Sequence, residues 1–312
     1  MHQDTEEKRK MTALQYPPNL YELIHIPCGK CVGCRSDNAK MWSIRAFNEL
    51  QFHKDNCFIT LTYNDDNPLV QSDPYCLCDL RYKHFQDFMK RLRKKTGAKI
   101  QYLCCGEYGL KDGRSHWHAI LFGYDFPDKE PVYVSKGFVH YSSSLLDECW
   151  SVYVNEEFGY YPIGFTDLTT VDIDCCNYVA GYVLKKLPVG SKSPIDIDKR
   201  TPPIVRSSRR PALGLNWYKK YGKNACEKGF EYLVSKDKTT TKKIKTPSYY
   251  FKKFELDEPE LFTKLKEKRM QKAKEIMLKN PPDYLELQRQ QESHLYRIKK
   301  TIKAKIDSFL KK

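Results

Sequence analysis

Two histidines, His116 and His118, are separated by a single tryptophan in the segment HWHAILFGY, residues 116–124. Because alternate residues of a β-strand project from the same face, the two imidazoles would point the same way. Two imidazoles so placed can bind one divalent metal ion. A pair of half-exposed surface histidines without a ligand is the alternative interpretation.

A carboxylate, Glu107, precedes His116 by nine positions, across a short polar turn. In a β-hairpin, Glu107 would lie near the same end of the sheet as the histidines. Two histidines and one carboxylate make a three-ligand site with open positions for water and substrate, and Mg²⁺ or Mn²⁺ suits such mixed ligands. A solvated hairpin charge is the alternative for Glu107.

Two tyrosines, Tyr178 and Tyr182, are four residues apart in a segment with helical periodicity, so they share one face of the helix. Lys185 and Lys186 follow on or beside that face, which is unusual for a packing stripe. A phenol is a poor nucleophile at neutral pH and needs a metal-activated electrophile. If a metal polarised a phosphate and lysine stabilised the developing charge, attack by tyrosine would give a 5′-phosphotyrosine. Simple packing of the two rings is the alternative.

Three cysteines, Cys28, Cys31 and Cys34, form a C-x2-C-x2-C pattern. Three thiolates at this spacing can bind Zn²⁺, but a structural zinc site requires four ligands. The candidates for the fourth ligand are His25, Cys57, Cys76 and Cys78. Free reduced thiols are an equally supported interpretation, and redox chemistry is a third. An iron–sulfur cluster is not favoured, because its sequence pattern needs a further cysteine at position 38, which is Asn38.

The elements that must position these residues follow an α+β pattern with an antiparallel strand pair at its centre. Strands are predicted where β-forming residues alternate, and helices where apolar residues recur at helical spacing. The predicted elements around the candidate residues are strands 57–63, 98–109 and 116–124, and helices 80–96 and 174–187. Residues 188–212, which contain five prolines, are predicted to be a loop or linker.

The charge of the chain is positive and unevenly distributed. The chain carries 54 Lys and Arg against 39 Asp and Glu, a net charge of +15, of which +11 lies in residues 236–312. Such an excess indicates a polyanionic partner, most often nucleic acid. The tail is predicted to form helices over 258–279 and 283–310, either as a solvated, salt-bridged pair or as a non-specific phosphate-binding surface.

Several classes of protein are excluded by what the sequence lacks. No run approaches the roughly 18 consecutive apolar residues of a transmembrane helix, and the first residues lack the apolar region of a secretory signal. Without export, the 12 cysteines are expected to be reduced in a cytoplasm. There is no Walker A motif, and hence no built-in ATP-driven helicase is expected.

In combination, these segments resemble the HUH superfamily of single-strand endonucleases, and they look most like replication initiators of small single-stranded DNA phages of the gokushovirus type in the Microviridae. The segments that carry the resemblance are FITLTY (58–63), HWHAILFG (116–123), CGEYGLKDGRSHWH (105–118), YVAGYVLKK (178–186) and PCGKCVGCR (27–35). The resemblance covers roughly residues 25–220. One departure is RRPALGLNWY (209–218), where a more glycine-rich loop is expected.

The resemblance implies an HUH-type antiparallel sheet, of the ferredoxin or RRM-like kind, with packed helices. The basic α-helical C-terminal tail is predicted from its charge and periodicity instead, since the resemblance does not extend to it. Together they give three predicted regions: an N-terminal segment with the cysteine cluster (1–56), a nuclease domain (57–235) and a basic helical C-terminal region (236–312). The metal ligands would be His116, His118 and Glu107.

The function implied by the resemblance is that of a rolling-circle replication initiator. Such a protein nicks a specific single-stranded origin site by metal-assisted tyrosine attack, keeps a 5′-phosphotyrosine DNA adduct and later rejoins the strand. The implied partners are phage origin DNA together with a host helicase and polymerase, in the cytoplasm of a bacterial host and without a membrane.

Two functions of other classes compete with this one. A non-catalytic nucleic-acid-binding protein with a zinc-stabilised N-terminus would bind DNA without a phosphotyrosine product and would not need Glu107. A barrel-type metallohydrolase with a His-x-His pair would need eight strand–helix repeats and further His and Asp ligands, and the sequence shows no such repeat.

Overall fold

A computed structural model describes residues 28–29, 31–64, 80–109, 113–135, 137–157, 159–185, 201, 203–228, 231–235 and 241–279, with 293, 296 and 300. Several predictions fall outside these residues. They concern Lys186, the proposed fourth zinc ligands His25, Cys76 and Cys78, and most of the predicted helix 283–310. The side chains of Tyr182 and Lys185 are also outside the description, although both residues lie in a described helix.

Antiparallel strands dominate the fold. The strands, in chain order, are β1 Asn56–Thr62, β2 Gln101–Tyr108, β3 Ser115–Phe122, β4 Glu130–Ser135, β5 Phe138–Ser142, β6 Ser151–Tyr153, β7 Tyr160–Pro162, β8 Thr166–Thr169, β9 Ile204–Ser207, β10 Glu231–Ser235 and β11 Thr241–Lys245. Seven of them form the main sheet, in the order β4-β5-β8-β1-β3-β2-β9, while β6–β7 and β10–β11 are separate hairpins. The predicted α+β class with a central antiparallel pair is confirmed.

Helices cover the main sheet on both sides. In chain order they are α1 Val32–Leu50, α2 Tyr82–Thr96, α3 Ser144–Cys149, α4 Ile173–Lys185, α5 Leu215–Trp217, α6 Lys223–Glu227, α7 Ser248–Asp257 and α8 Pro259–Lys279. A π-helical turn, Tyr218–Gly222, joins α5 to α6. No helix of the described part of the chain is both long enough and apolar enough to cross a membrane.

Buried and partly exposed residues alternate along β1, which shows which side chains lie on each face of the sheet. Cys57, Ile59 and Leu61 are buried, while Phe58 and Thr60 between them are partly exposed on the opposite face. The buried set packs in one core with the apolar stripe of α2. That stripe consists of Phe85, Phe88, Met89 and Leu92, and α2 ends at Gly97 in the left-handed conformation, as the sequence pattern predicts.

Trp117 lies on the α2 side of the sheet and is fully buried, so the residue between the two histidines belongs to the core. Its indole nitrogen donates a hydrogen bond to the Tyr63 hydroxyl at 3.0 Å. Its partner on β2 is Gly106, where a Cβ atom would lie 3.0 Å from the Trp117 ring and from Leu80. A larger residue at position 106 would therefore displace the ring that anchors β3.

Helices α1 and α4 cover the other face of the sheet. Cys176 and Val179 of α4 are buried with Ala46 of α1 and with Leu103 and Ile120 of the sheet. The helix predicted over 174–187 is observed as Ile173–Lys185, and its described buried side chains are Cys176, Val179 and Ala180.

The prediction that residues 188–212 form a loop is wrong for Ile204–Ser207, which form β9 at the edge of the main sheet. This strand pairs with β2, with Leu103 opposite Ser207 and Gly106 opposite Ile204. The pairing with β2 supplies backbone hydrogen bonds that the local sequence does not reveal, since four residues are too few to show a pattern.

A third core joins the C-terminal helices to the rest of the chain. Tyr250 and Phe254 of α7 are fully buried against Trp217 and Tyr218. The Asn48 side chain of α1 donates a hydrogen bond to the Tyr250 hydroxyl at 3.0 Å. The first helix predicted for the tail, 258–279, is observed as α8.

Candidate active site and cysteine cluster

The hairpin of β2 and β3 places a carboxylate beside the two histidines. Glu107 is the direct partner of His116, and Cys105 is the partner of His118. Side chains of directly opposed residues lie on the same face of an antiparallel pair, so Glu107, His116 and His118 share one face of the sheet. This is the face that α4 covers.

His118 contacts Glu107 in a nearly closed environment. The His118 Nε2 atom lies 3.2 Å from the Glu107 Oε1 atom, and the two residues are only 8% and 6% exposed. On the other side of the ring, Nδ1 lies 3.1 Å from the hydroxyl oxygen of Thr60 on β1. The imidazole is therefore held at both nitrogens, and its plane stacks on Phe58 at a centroid distance of 5.9 Å.

The spacing of His118 and Glu107 fits a shared octahedral metal ion. Two ligand atoms at adjacent corners, each with a bond of about 2.1 Å, are about 3.0 Å apart. The observed separation of 3.2 Å is close to that value. The nitrogen and carboxylate oxygen donors also match the mixed ligand set that Mg²⁺ or Mn²⁺ accepts.

His116 is oriented differently. Its Nδ1 atom donates a hydrogen bond to the carbonyl oxygen of Ser115 at 2.8 Å, so its Nε2 atom carries the lone pair that can bind a metal. The two histidine rings are nearly perpendicular, with centroids 6.3 Å apart. The structure brings Glu107 and His118 together, but the ligand atoms of all three residues do not lie within 4.8 Å of one another.

Helix α4 places Tyr178 over His118. The Tyr178 ring meets the His118 ring edge to face, with centroids 5.3 Å apart, and it also contacts Phe58 at 6.2 Å. Tyr178 is 36% exposed, whereas Val179 and Ala180 beside it are buried. The phenol thus borders the histidine–carboxylate pair and is accessible to a large substrate.

The start of α4 is fixed by a side-chain cap. The backbone amide of Cys175 donates to Asp172 Oδ1 at 2.8 Å, which satisfies one of the free amides of the first turn. The hydroxyl of Ser43 on α1 donates to Asn177 Oδ1 at 2.5 Å. These contacts hold the helical turn that carries Tyr178.

The remaining predicted residues of the tyrosine helix are placed only through the backbone. Tyr182 lies one helical turn after Tyr178, about 6 Å further along the axis of α4. Lys185 is the last residue of α4, and Lys186 lies outside the described residues.

Sequence reasoning missed Thr60, the hydrogen-bond partner of His118. The signal was present, because Phe58 and Thr60 alternate with the buried residues of β1 and must share a face. The alternation of β1 identifies Thr60 as a partner of His118 only when the strand register, which sets the two residues opposite each other, is known.

A second polar group adjoins this face and was also missed. Asp167 of β8 is the partner of Thr60, so it lies on the same face of the sheet. Its carboxylate accepts a hydrogen bond from His140 Nδ1 at 2.8 Å, and Tyr133 stacks on His140 at a centroid distance of 4.3 Å. A row of polar residues therefore runs from His118 to His140 across four neighbouring strands, β3, β1, β8 and β5.

The three N-terminal cysteines converge immediately before and within the first turn of α1. In the described part of the chain, theirs is the only group of three or more His, Cys, Asp or Glu residues whose ligand atoms all lie within 4.8 Å of one another. The Cys28 and Cys34 sulfur atoms are 3.9 Å apart, and the amides of Cys31 and Cys34 point at the sulfur atoms of Cys28 and Cys31. This triad could hold one metal ion.

Neighbouring groups change the pKa of the Cys34 thiol in opposite directions. A backbone hydrogen bond from Gly29 lowers the pKa of Cys34, but the neighbouring thiols of Cys31 and Cys28 outweigh it, so the pKa is raised overall. A cation bound among the three sulfur atoms would reverse this balance, since it favours the thiolates. Cys57, proposed as a fourth ligand, is instead buried in the core with α2.

Comparison with known proteins identifies a family. A sequence model of a family described under the heading "Replication-associated protein ORF2" matches residues 56–187. The matched range contains β1, the hairpin with Glu107 and the histidines, and all of α4.

Curated relatives extend the similarity over most of the chain. The "Replication-associated protein VP4" of Bdellovibrio phage phiMH2K is 31% identical over 252 residues, which cover 80% of this chain and 74% of the relative. The "Replication-associated protein ORF2" of Spiroplasma virus 4 is 32% identical over 262 residues, which cover 81% and 75%. The "Replication-associated protein ORF4" of Chlamydia phage 1 is 34% identical over 207 residues, which cover 63% and 46%. No solved structure matches the chain.

Proposed function

We propose that this protein starts rolling-circle replication by cutting one DNA strand at a specific origin site. The premise is its family: the chain belongs to the ORF2 family of replication-associated proteins of small single-stranded DNA phages. In this proposal the HUH-type sheet presents His116, His118 and Glu107 to the substrate, and α4 supplies the nucleophile. The observation that carries the proposal is the contact of Tyr178 with His118, which in turn contacts Glu107.

The metal ligands in this proposal are Glu107, His118 and, through its Nε2 atom, His116. A bound Mg²⁺ or Mn²⁺ would polarise the scissile phosphate and neutralise part of its charge. His116 Nδ1 donates to the carbonyl oxygen of Ser115, and in the proposal His118 Nδ1 donates to the Thr60 hydroxyl, so that Nε2 of each ring would be left for the metal.

The nucleophile in this proposal is Tyr178. Its phenolic oxygen attacks the phosphorus of the scissile phosphodiester, a P–O bond to tyrosine forms, and the bond to the 3′ oxygen breaks. The phenol loses a proton and the departing 3′ oxygen gains one, so no net proton is consumed. The 5′ end of the cut strand remains on Tyr178 as a phosphotyrosine, and reversal of the same step by a 3′ hydroxyl rejoins the strand without ATP.

The residues after Tyr178 on α4 have supporting roles in the proposal. Tyr182, one turn away, accepts the second strand when the displaced copy is cut and joined. Lys185 and Lys186 stabilise the charge that develops on the phosphate. A host helicase and polymerase in the bacterial cytoplasm would supply unwinding and synthesis.

The direct test is a covalent adduct assay. The protein is incubated with labelled single-stranded DNA that contains the phage origin, in Mn²⁺ or in Mg²⁺, and the products are separated under denaturing conditions. We expect a labelled protein band that survives detergent and heat, together with a shortened strand that ends in a 3′ hydroxyl. EDTA is expected to remove both products while most of the DNA binding remains, because affinity comes chiefly from basic residues.

The control for this assay is a strand of the same composition with a scrambled origin, which should bind without forming an adduct. Binding of both strands with no adduct in either metal would contradict the proposal and favour a non-catalytic nucleic-acid-binding protein. An equal adduct yield with and without EDTA would contradict only the proposed metal site and leave the proposed cleavage by tyrosine unaffected.

For the cysteine triad we propose structural zinc, held by Cys28, Cys31, Cys34 and a fourth ligand. Sulfur atoms bound to one tetrahedral zinc at about 2.3 Å are about 3.8 Å apart. The distance of 3.9 Å between Cys28 and Cys34 is close to that value. Amides that donate to thiolate sulfur atoms also stabilise the charged ligands.

We expect one zinc ion per chain in protein purified without chelator, and less than about 0.1 after Cys28, Cys31 and Cys34 are replaced by serine, since three of the four ligands are lost. Elemental analysis by mass spectrometry measures both. Cys175→Ser, which removes a thiol of α4 outside the triad, should keep the zinc. A zinc-free wild-type protein, or full zinc in the triple variant, would show that the thiols are not ligands.

A further inference from the structure

A cleft of about 1130 Å³ opens at the β9 edge of the main sheet. Its walls come from α1, from α2 with the residues that follow it, and from the segment 205–212. We call it the β9 cleft. Pockets for drug-sized ligands measure about 300–1,000 Å³, so a volume of this size suits part of a chain molecule better than a single small anion.

The lining of the β9 cleft is strongly cationic. Four exposed basic residues line it: Lys99, Arg206, Arg209 and Arg210. No Asp or Glu is among its lining residues, and within the described chain none of the four has a carboxylate partner within 4.0 Å. In contrast, the Arg93 side chain donates to the carbonyl oxygen of Ile100, so it is engaged by the fold itself. Arg206 also donates one hydrogen bond, to the carbonyl oxygen of Val205 at 3.3 Å, but it is exposed. The four exposed cations, none of them paired with a carboxylate, can therefore bind a polyanion.

Aromatic rings lie beside these cations. Tyr82 and Tyr102 line the cleft with their hydroxyls hydrogen-bonded to each other at 2.7 Å, and the Arg206 guanidinium lies 5.7 Å from the Tyr82 ring. Trp42 of α1 forms part of the opposite wall. Bases stack on such rings and on guanidinium planes, while arginine and lysine bind the phosphates between them.

The β9 cleft lies away from the candidate active site. Gln101 lines the cleft at the start of β2, and Glu107 is six residues further along the same strand. At about 3.4 Å per residue, the two are roughly 20 Å apart. The near end of the cleft is closer, because Arg206 is opposite Cys104, which precedes Glu107 by three residues, or about 10 Å. A single strand can therefore reach from the cleft to the active site within a few nucleotides.

We propose that the β9 cleft is a second DNA site, which binds a single-stranded segment a few nucleotides from the scissile phosphate. This inference rests on the proposed function, since it assumes that the same strand reaches Tyr178. The cleft would hold the strand through Lys99, Arg206, Arg209 and Arg210 and stack bases against Tyr82, Tyr102 and Trp42. Its role is affinity and placement, and the chemistry stays at the histidine–tyrosine site.

Single-stranded DNA fits the cleft better than two other polyanions. A duplex buries its base faces, so it would leave the aromatic rings of the cleft unused. An acidic peptide could satisfy the cations, but its carboxylates offer no planar rings to stack on Tyr82 and Trp42. The combination of exposed arginines that lack a carboxylate partner with neighbouring aromatic rings is what favours a single strand.

The test compares binding of fluorescein-labelled dT20 by fluorescence anisotropy at several salt concentrations. In the variant with Arg206, Arg209 and Arg210 changed to Gln, we expect the dissociation constant at 0.15 M salt to rise about 10- to 50-fold. The slope of log affinity against log salt should fall by about 2, because each lost phosphate contact contributes about 0.7 on a single strand. The double variant Arg209→Gln and Arg210→Gln should show a smaller change in the same direction.

The matched control changes Lys83, Lys90 and Lys95 of α2 to Gln. This removes the same charge from lysines that already pair with carboxylates, and it should change the dT20 affinity by less than about threefold. An equal loss in the control and cleft variants would overturn the proposal. So would an equal loss for a 20-base-pair duplex, or competition by poly-glutamate as strong as that of unlabelled dT20.

The adduct assay separates this proposal from the function itself. At saturating origin DNA, the cleft variant should form the adduct at the wild-type rate, and its defect should appear only at low DNA concentration. If wild-type protein formed no adduct but the cleft variant lost dT20 affinity as expected, the proposed function would be contradicted, whereas the proposal that the cleft binds single-stranded DNA would be supported. A reduced adduct rate at saturating DNA would place the arginines in the chemistry and contradict the proposal.

Discussion

Tyr178→Phe is expected to lower the rate of origin nicking by at least about a thousandfold, which corresponds to ~4 kcal/mol of barrier. The substitution removes only the phenolic oxygen that would attack phosphorus. The ring stays in contact with His118 and Phe58, so the fold and the DNA affinity should be unchanged. Single-turnover formation of the covalent adduct on origin DNA measures the rate.

The matched control is Tyr160→Phe on the β6–β7 hairpin. Tyr160 is also exposed, and it packs on Tyr153 away from the histidines, so the change should leave the adduct rate within about twofold. An adduct that forms at the normal rate in Tyr178→Phe would contradict the assignment of Tyr178. If Tyr182→Phe then abolished it, the first attack would belong to Tyr182.

His118→Ala is expected to lower the nicking rate at least about 100-fold, because it removes the ligand that faces Glu107 and leaves that buried carboxylate without its imidazole neighbour. DNA affinity should stay within about threefold, since the phosphates are bound by lysine and arginine. Adduct formation over a range of Mn²⁺ concentrations tests this. The defect should shrink as Mn²⁺ rises, whereas that of Tyr178→Phe should not.

His84→Gln is the control, because His84 lies on α2, on the opposite side of the sheet. Burial lowers the pKa of His84 to about 4, so it is neutral near pH 7 and Gln replaces it without a change in charge. Gln can also keep the hydrogen bond to the Tyr63 hydroxyl. A normal nicking rate in His118→Ala, or an equal defect in His84→Gln, would contradict a role for His118 at the metal.

The sequence predicted the elements whose patterns are local. β1 alternates, α2 has large apolar residues at helical spacing and ends in Gly97, and β2 and β3 flank a short polar turn. Each of these signals lies within one segment and needs no knowledge of its neighbours. They were sufficient to indicate that Glu107 and the two histidines share a hairpin.

Helix α1 was not predicted, and its described buried residues give only a weak hydrophobic signal. In its first four turns they are the small residues Ala39, Ser43 and Ala46, and in the last turn the polar residues Asn48 and Glu49. The large apolar residues that pack on the same core, Trp42, Phe47 and Leu50, are only partly buried. Its N-cap is Cys31, whose sulfur accepts from the Cys34 amide, instead of one of the usual oxygen-bearing caps. This helix packs against α4, so part of what positions Tyr178 could not be predicted from the sequence.

The site itself depends on register, which the sequence leaves undetermined. Thr60 is opposite His118 and Asp167 is opposite Thr60 only because β1 lies between β3 and β8. Thr60 and Asp167 are 107 residues apart in the chain. A shift of one residue between β1 and β3 would turn Thr60 to the α2 side and leave His118 without this partner. The same shift between β1 and β8 would turn Asp167 away from Thr60.

The burial of Trp117 between the two histidines has a genetic consequence. Its neighbours His116 and His118 face the other side of β3, so if they bind the metal as proposed, their loss would lower activity at every temperature. Truncation of a buried tryptophan costs about 3–5 kcal/mol, a large share of the 5–15 kcal/mol that holds a typical domain together. A smaller residue at position 117 would then give a phage that replicates when cool and fails when warm. Three consecutive codons therefore carry two kinds of mutant allele, unconditional at the outer two and temperature-sensitive at the middle one.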